Sequence, residues 1–254
     1  MVQSIKRAFA ILQAVAEHPD GIGVTALADE VGLHKSTVSR LLSTLEGLEA
    51  VKRRPQADGF AIGDGILALI SQMPYPRQLM TLVRPYLLEL AEATAETVGL
   101  SVSDGDEVHY IDQVQSEHHV QVRDWTGQRF PMHLVASGKL YLAYRSEAAL
   151  ERYLQQPLAR YTAQSVTDPA ELRQRITQAR VQGYDWAVDE FEAGLTAVSA
   201  SIFGTGSRPI AAIYVCGPNY RFPPAGQQNR ITSLITETAQ TITARLAALE
   251  DAAS

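Results

Sequence analysis

The sequence is poor in cysteine and in long apolar runs, and both shortages restrict what the protein can be. Cys216 is the single cysteine of the 254 residues, so no disulfide can form within the chain, which is typical of a reducing cytoplasm. No apolar run approaches the roughly 18 residues that a membrane-spanning helix requires, and the N-terminus lacks the apolar stretch of a secretory signal. We therefore expect a cytoplasmic protein without a membrane partner.

An excess of positive charge, the usual sign of a nucleic-acid-binding protein, is also missing. The chain has 22 Lys and Arg against 28 Asp and Glu, which gives a net charge of −6. The distribution is uneven, because five basic residues lie within residues 34–54, against Glu46 and Glu49. Basic groups concentrated in this way favour contact with phosphates. The sequence thus predicts a local basic surface on a protein whose acidic remainder weakens non-specific DNA binding.

Common signatures of enzymes and metal proteins are absent as well. The sequence has no G-x-x-x-x-G-K loop for phosphates and no H-E-x-x-H pair for zinc. His109, His118, His119 and His133 fall in one stretch, but neighbouring residues of a strand point to opposite faces, so surface histidines are the favoured interpretation. Cys216 lies in an apolar stretch, which is more typical of a buried thiol than of a nucleophile. We predict no enzyme activity, no metal site and no cofactor.

Residues 24–48 have the pattern of two short helices joined by a tight turn. Apolar residues repeat at helical spacing as far as Val31, Gly32 breaks the run, and a second apolar stripe extends from Leu33 to Leu48. In a helix-turn-helix, the N-terminal end of the second helix enters the major groove, where it needs positive charge and short hydroxyls. The residues that we expect to contact DNA there are Lys35, Ser36, Thr37, Ser39 and Arg40.

A basic hairpin is predicted immediately after these helices. Lys52, Arg53 and Arg54 form a strand-like run, Asp58-Gly59 is a hairpin turn signal, and residues 60–62 can return as the partner strand. A helix-turn-helix followed by such a hairpin indicates a winged helix, whose three basic residues hold the DNA backbone or the adjacent minor groove. The alternative is a small helical subdomain whose charges are only solvated.

The remaining pattern predicts a second, larger domain. A helical run over Gly65–Met73 stops at Pro74 and Pro76, and a longer amphipathic helix is expected over Arg77–Val98. Beyond it, strands alternate with helices in irregular order, which indicates an α+β fold with a mostly antiparallel sheet. The predicted strands are 100–103, 107–113, 120–123, 198–203 and 210–216. Helices are predicted between them at about 137–145, 148–155 and 169–182. The predicted domains are a winged helix over 1–63, a linker helix over 64–80 and an α+β domain over 81–254.

Several segments, in the same order and over nearly the whole chain, resemble the IclR-type bacterial transcription regulators. The winged-helix domain of that family is similar to SIKRAFAILQAVAEHPDGIGVTALADEVGLHKSTVSRLLSTLEGLEAV, and the entry into its second domain is similar to RPYLLELAEATAETVGLSVSDGDEVHYID. Its effector-pocket segments are similar to RFPMHLVASGKLYLA, GYDWAVDEFEAGLTAVSASIF and AAIYVCGPNYRF. The resemblance implies a GAF-like effector-binding domain, a helical linker, and homodimers or homotetramers that act at an operator.

The resemblance also implies where an effector would bind. In the family the effector commonly rests on backbone amides at the start of the helix that here begins near Ala136 and Ser137. Free N–H groups and the helix dipole at such a position favour a carboxylate. The nearby acidic residues Asp189, Glu190 and Glu192 either order the loop before the strand at 198–203 or rim the pocket, and Asp189 is kept as a candidate contact.

The pocket departs from the family pattern at four positions. Members that bind small oxo-acids carry an acidic residue at the position of Ala187, a cysteine at that of Ala197, and serines at those of Tyr214 and Cys216. These replacements make the pocket less polar and give it an aromatic wall. We therefore expect an effector with an anionic end and an apolar or aromatic body, the alternative being a pocket that has shrunk or binds nothing.

Together these features predict a ligand-responsive transcription regulator of two domains. Its partners are double-stranded operator DNA, a small-molecule effector and further copies of the chain. Repression of a catabolic or transport operon is expected on family grounds. The alternative function is a small-molecule enzyme or sensor that carries a winged-helix module.

Overall fold

The computed structural model of the chain describes residues 3–18, 20–54, 59–72, 75–204 and 206–253. The chain divides into two compact units, Met1–Tyr75 and Pro76–Ser254, and each unit has hydrophobic core residues of its own. Within the described ranges, no helix is both long and apolar enough to cross a membrane.

The first unit is a winged helix, as the sequence predicted. The turn between its second and third helices requires Gly32, whose φ of 64° lies in the left-handed region that disfavours a side chain. The third helix begins after His34, whose Nδ1 accepts a hydrogen bond from the N–H of Ser36 at 3.4 Å and so caps the helix. The elements of this unit are α1 (Gln3–Ala16), α2 (Val24–Glu30), α3 (Lys35–Gly47), β1 (Val51–Arg54), β2 (Gly59–Ile62) and α4 (Asp64–Gln72).

The helices of this unit share one core. Ile11, Leu27, Val38 and Leu42 are buried in it, one or two from each of the first three helices. The strands β1 and β2 pair antiparallel, and Phe60 of β2 also forms a bridge with Ile22 through hydrogen bonds of 2.9 and 3.1 Å. The wing is thereby fixed to the chain that precedes the helix-turn-helix.

The second unit is an α+β domain built on an antiparallel sheet. Its strands are β3 (Thr97–Asp104), β4 (Glu107–Val114), β5 (Arg129–Pro131), β6 (Tyr184–Val188), β7 (Leu195–Phe203) and β8 (Pro209–Pro218). Its helices are α5 (Tyr75–Thr94), α6 (Ala136–Leu142), α7 (Glu147–Leu154), α8 (Pro169–Gln182) and α9 (Gln228–Ala253). The strands lie in the order β5-β4-β3-β8-β7-β6, and each neighbouring pair is antiparallel.

The central strand β8 shows how the sheet separates two cores. Side chains of a strand alternate between the two faces. Tyr214 and Cys216 pack with residues of α6, α7 and α8. Ile213 and Val215 pack with residues of α5 and α9 on the opposite face. The face that carries Tyr214 is the one that contains the candidate effector site.

The structure corrects several of the sequence predictions in this unit. The helix expected over Arg77–Val98 ends at Thr94, because Ala95 has a φ of 57° and Thr97 pairs with Cys216 in the sheet. The strand expected at 120–123 does not form, and β5 occupies the edge beside β4 instead. Strands β5 and β6 were not predicted. Three turn or boundary residues of the predictions, Asp58, Met73 and Pro74, lie outside the described residues.

Candidate DNA-binding surface and effector cavity

The exposed face of α3 presents the residues that the sequence assigned to DNA. Val38 and Leu42 hold the helix on its core, which leaves its other face to solvent. Four of the candidates, Lys35, Ser36, Ser39 and Arg40, are exposed, and Thr37 is half-buried. The winged-helix fold thus brings one lysine, one arginine and short hydroxyls together on one accessible helix surface, as groove contact requires.

The three basic residues of the wing are exposed too, but they differ in what they contact. The Nζ of Lys52 lies 2.6 Å from Oδ1 of Asp64. The Nε of Arg53 lies 3.3 Å from Oε1 of Glu46, and its guanidinium stands over the ring of Phe60 at 5.0 Å. A wing that binds DNA through Lys52 and Arg53 would first have to release these two acidic partners, which the sequence could not show.

The second unit contains a cavity between the sheet and the start of α6. Five of the seven residues that were proposed as effector contacts line it: Ala136, Ala187, Ala197, Tyr214 and Cys216. They come from distant parts of the chain, and the sheet register explains their meeting, since Ala197 pairs with both Ala187 on β6 and Cys216 on β8. The other described residues of the lining are Tyr110, Trp125, Phe130, Leu134, Val135, Phe191, Leu195 and Ser199.

The other two proposed contacts do not line this cavity. Ser137 is fully buried, one residue further along α6. The carboxylate of Asp189 accepts hydrogen bonds from the N–H of Gly194 at 2.6 Å and from Nδ2 of Asn219 at 2.9 Å. Asp189 itself has a φ of 55°. Asp189 therefore shapes the turn between β6 and β7, the turn that carries Phe191 to the cavity.

The start of α6 is held close to the preceding turn. Gly138 permits this approach, because a Cβ there would lie 2.0 Å from the carbonyl oxygen of Met132. Val135 precedes the helix in an extended conformation, and none of the described side chains caps the first turn. The early amides of a helix that lacks a side-chain cap are suited to an acceptor from a ligand.

A buried ion cluster fixes α6 to the strand and turn that it faces. The Nζ of Lys139, which is fully buried, lies 2.7 Å from Oε2 of Glu190 and 3.2 Å from Oδ2 of Asp185. The guanidinium of Arg175 on α8 contacts the same two carboxylates, each at 3.2 Å. The cluster thereby positions Glu190 and, next to it, Phe191.

Aromatic rings make up much of the cavity wall. The ring of Tyr110 meets those of Trp125, Phe130 and Tyr214 edge-on, with centroids 6.0, 5.4 and 4.8 Å apart. Phe191 closes the group, 4.5 Å from Phe130 and 5.7 Å from Trp125. Of these residues the sequence predicted only Tyr214, since Trp125 and Phe191 lie in irregular segments whose partners depend on the tertiary fold.

The cavity is neutral and narrow. No charged side chain is found among the described residues that line it. Burial raises the pKa of Tyr110 and that of the Cys216 thiol far above their ordinary values, so both stay protonated at neutral pH. The hydroxyl of Tyr214 donates to Oε1 of Gln113 at 2.9 Å. The volume in which the centre of a water molecule can lie is about 20 Å³, which is enough for about one water. A larger ligand therefore requires the rings to move apart.

The histidines that lie near one another in the sequence do not form a metal site here. In the part of the chain that the structure describes, no group of three or more His, Cys, Asp or Glu side chains is arranged to hold a metal ion. His133 is buried, with Nδ1 2.9 Å from the hydroxyl of Tyr153 and Nε2 2.9 Å from the carbonyl of Ala159. His133 is thus a core histidine, whereas a surface position had been expected.

Comparison with known proteins gives matches for both units. Residues 4–55 match the family model of the IclR helix-turn-helix domain, and residues 75–244 match that of the bacterial transcriptional regulator IclR C-terminal domain. The transcriptional repressor IclR of Escherichia coli K12 is 34% identical over 220 residues, which are 85% of this chain and 80% of that protein.

Solved structures show the same fold. The IclR of Thermotoga maritima is 25% identical, with a TM-score of 0.63 over 95% of this chain and 98% of that one. An IclR homologue from Microbacterium hydrocarbonoxydans, crystallised with 4-hydroxybenzoate, is 21% identical, with a TM-score of 0.63 over 96% and 99% of the two chains. Because the two family models cover most of the residues and the E. coli repressor is similar over both units, this chain belongs to the IclR family of DNA-binding transcriptional regulators.

Proposed function

We propose that this regulator represses a catabolic or transport operon and responds to an aromatic or apolar carboxylate held in the cavity beside α6. Its α3 helix and the β1–β2 wing contact the operator, in the cytoplasm, and residues 64–80 link that module to the effector-binding domain. The observation that carries the choice of effector is the cavity wall, which combines aromatic rings with the uncapped start of a helix.

The chemistry of the wall supports an aromatic body for the effector. Ala187 and Ala197 leave room beside Tyr214, and a planar ring can fill such space while stacking on or meeting the edges of the surrounding rings. A small oxo-acid would leave these apolar surfaces without contacts. The start of α6 at Ala136 suits a single carboxylate, because a second buried anion would find no cationic side chain among the described lining residues.

The relative crystallised with 4-hydroxybenzoate shows that a protein of this fold can bind such an acid. At 21% identity its pocket cannot be transferred residue by residue. The proposal for this chain therefore depends on its own alanines and aromatic residues, and the relative indicates only that a substituted benzoate is a suitable first probe.

Titration by calorimetry tests the proposal directly. We expect benzoate and 4-hydroxybenzoate to bind more tightly than glyoxylate or pyruvate. Ala197→Leu fills the space that the ring needs, so it should abolish benzoate binding while DNA binding without ligand persists. Ala193→Leu, at an exposed residue of the β6–β7 turn outside the cavity, is the matched control. Binding of the oxo-acids alone, or an unchanged ligand response in Ala197→Leu, would contradict the assignment.

A further inference from the structure

The indole of Trp125 carries a hydrogen-bond donor that the protein leaves unused. Trp125 lines the cavity with only 4% of its surface exposed, and its Nε1 has no hydrogen-bond partner among the residues that the structure describes. A buried N–H without an acceptor is unfavourable and uncommon in folded proteins. The other tryptophan, Trp186, behaves in the usual way, since its Nε1 donates to Oγ1 of Thr232 at 3.0 Å.

The position of this donor is fixed by its surroundings. The backbone N–H of Trp125 donates to Oε1 of Gln113 at 3.3 Å. The ring meets those of Tyr110, Phe130 and Phe191 edge-on, with centroids 5.7 to 6.0 Å apart. The backbone hydrogen bond ties Trp125 to Gln113 of β4, so the residue stays at the cavity wall when the rings part to admit a ligand.

We infer that the Nε1–H of Trp125 donates to an oxygen acceptor on the effector, separate from the carboxylate that the start of α6 receives. This inference deepens the proposed function and rests on it. An indole nitrogen donates and cannot accept, so the group it meets must be an acceptor such as an ether, carbonyl or phenolic oxygen. The effector class is thereby narrowed from aromatic carboxylates to those that bear an oxygen substituent on the ring.

Selectivity for such an acceptor follows from the cost of leaving the donor unpaired. A site built around a buried donor rejects an analogue of the same shape that lacks the acceptor. Methoxybenzoates and ethylbenzoates form suitable pairs, because their substituents are similar in size and only the methoxy group carries an acceptor oxygen. The acceptor that Trp125 meets can be at the 3- or the 4-position of the benzoate ring, so both the 3- and the 4-substituted pairs are required.

Calorimetry on wild type, Trp125→Phe and Trp186→Phe provides the test. We expect wild type to bind one of the two methoxybenzoates about three- to tenfold more tightly than its ethyl counterpart, the effect of one neutral hydrogen bond. Trp125→Phe should bring this ratio close to one, whatever it does to the affinity for both compounds. Trp186→Phe, which alters the tryptophan outside the cavity, should keep the wild-type ratio.

A second measurement covers the case in which Trp125→Phe does not fold. In ¹⁵N-labelled wild type the two indole N–H resonances are assigned with Trp186→Phe, and that of Trp125 should move downfield with the preferred methoxybenzoate but not with its ethyl counterpart. Equal affinities for the two compounds in wild type, or a ratio that survives in Trp125→Phe, would overturn the inference and leave the proposed effector class intact. Failure of all four compounds to bind at millimolar concentration would overturn the effector class, and the inference with it.

Discussion

Arg40 is the residue of α3 whose contribution to DNA binding can be separated most clearly from folding. It is exposed, and neighbouring residues such as Val38 and Leu42 provide the packing. If its guanidinium reaches a base edge, Arg40→Ala should cost about 1–3 kcal/mol of operator affinity and relax the preference at one base pair. Mobility shift on duplexes selected from a random library measures both effects.

The control for this prediction is Arg230→Ala, which removes the same charge from an exposed position on α9 in the other unit. It should leave operator affinity nearly unchanged. Equal losses in the two variants would mean that overall charge, and not a groove contact, accounts for the effect of Arg40.

His133 makes the stability of the effector-binding unit depend on pH. Burial lowers the pKa of His133 below its usual value of 6.5, so the folded state favours the neutral ring. Between the folded pKa and 6.5 the unfolded chain binds more protons, and stability rises with pH in this window. We therefore expect the free energy of unfolding to fall as pH is lowered from 7 through 6.5.

Urea unfolding at several pH values checks this expectation. His133→Gln should be less stable than wild type at pH 7 and should lose less further stability on acidification. An identical pH dependence in the two proteins would show that other groups are responsible for the acid sensitivity.

At the scale of elements, local signals explain which predictions succeeded. The helix α8 was predicted with its observed bounds, Pro169–Gln182, because its start and its end are both encoded nearby. The side chain of Asp168 caps its first turn, and Gly183, with a φ of 78°, ends it. Where an element carries its own caps, the sequence was sufficient.

Elements whose partners lie far away in the chain were harder to predict. Strand β6 was missed because Asp185 interrupts its apolar pattern, and only the fold shows that Lys139 and Arg175 neutralise this buried carboxylate. The strand expected at 120–123 was wrong, and Val120 is largely exposed, so its apolar character does not report a buried face. The cavity walls illustrate the same limit, since Trp125 and Phe191 meet only through tertiary packing.

The contacts between β4 and α5 connect the cavity to the helix that follows the DNA-binding unit in the chain. The side chain of Gln113 accepts a hydrogen bond from the hydroxyl of Tyr214. The backbone carbonyl of Gln113 accepts a second one from Nη1 of Arg84 on α5, at 3.2 Å. Arg84 also pairs with Asp112. A ligand that displaces Tyr214 therefore breaks a hydrogen bond to Gln113, a residue that Arg84 of α5 also contacts.

We accordingly expect Arg84→Gln to bind the effector with little change in affinity but to show a smaller effect of the effector on operator binding. Calorimetry with 4-hydroxybenzoate and a mobility shift with and without it separate the two quantities. Arg129→Gln, which breaks an exposed ion pair with Asp104 at the edge of the sheet, is the matched control. A normal operator response in Arg84→Gln would exclude this route.

At the scale of the whole molecule, the winged helix has apolar surface that one copy leaves uncovered. Ile5 and Phe9 of α1 are 57% and 62% exposed, and Leu69 of α4 is 61% exposed, whereas Leu12 packs against the core of its own unit. A second copy of the chain is the partner that we expect for these side chains. The 27.7 kDa chain should therefore form at least a dimer, and a tetramer on family grounds.

Light scattering at micromolar concentration measures the assembly state. Phe9→Glu should shift it towards the monomer, because a charge at the interface must be desolvated, and should weaken operator binding through the loss of the paired half-site. Lys6→Glu, at an exposed polar position on the same helix, controls for the added acid. A wild-type protein that scatters only as a monomer would contradict the prediction.

If this cavity holds the effector, its narrowness affects the concentration at which the regulator responds. If the rings must separate before an effector enters, the observed affinity equals the intrinsic affinity reduced by the fraction of molecules that are open. Tyr161 is half exposed and does not line the cavity, but its ring packs against that of Phe191, with the two centroids 5.7 Å apart. Substitutions at Tyr161 can therefore move the response threshold without altering which compounds are recognised, so sensitivity and selectivity can evolve separately in this protein.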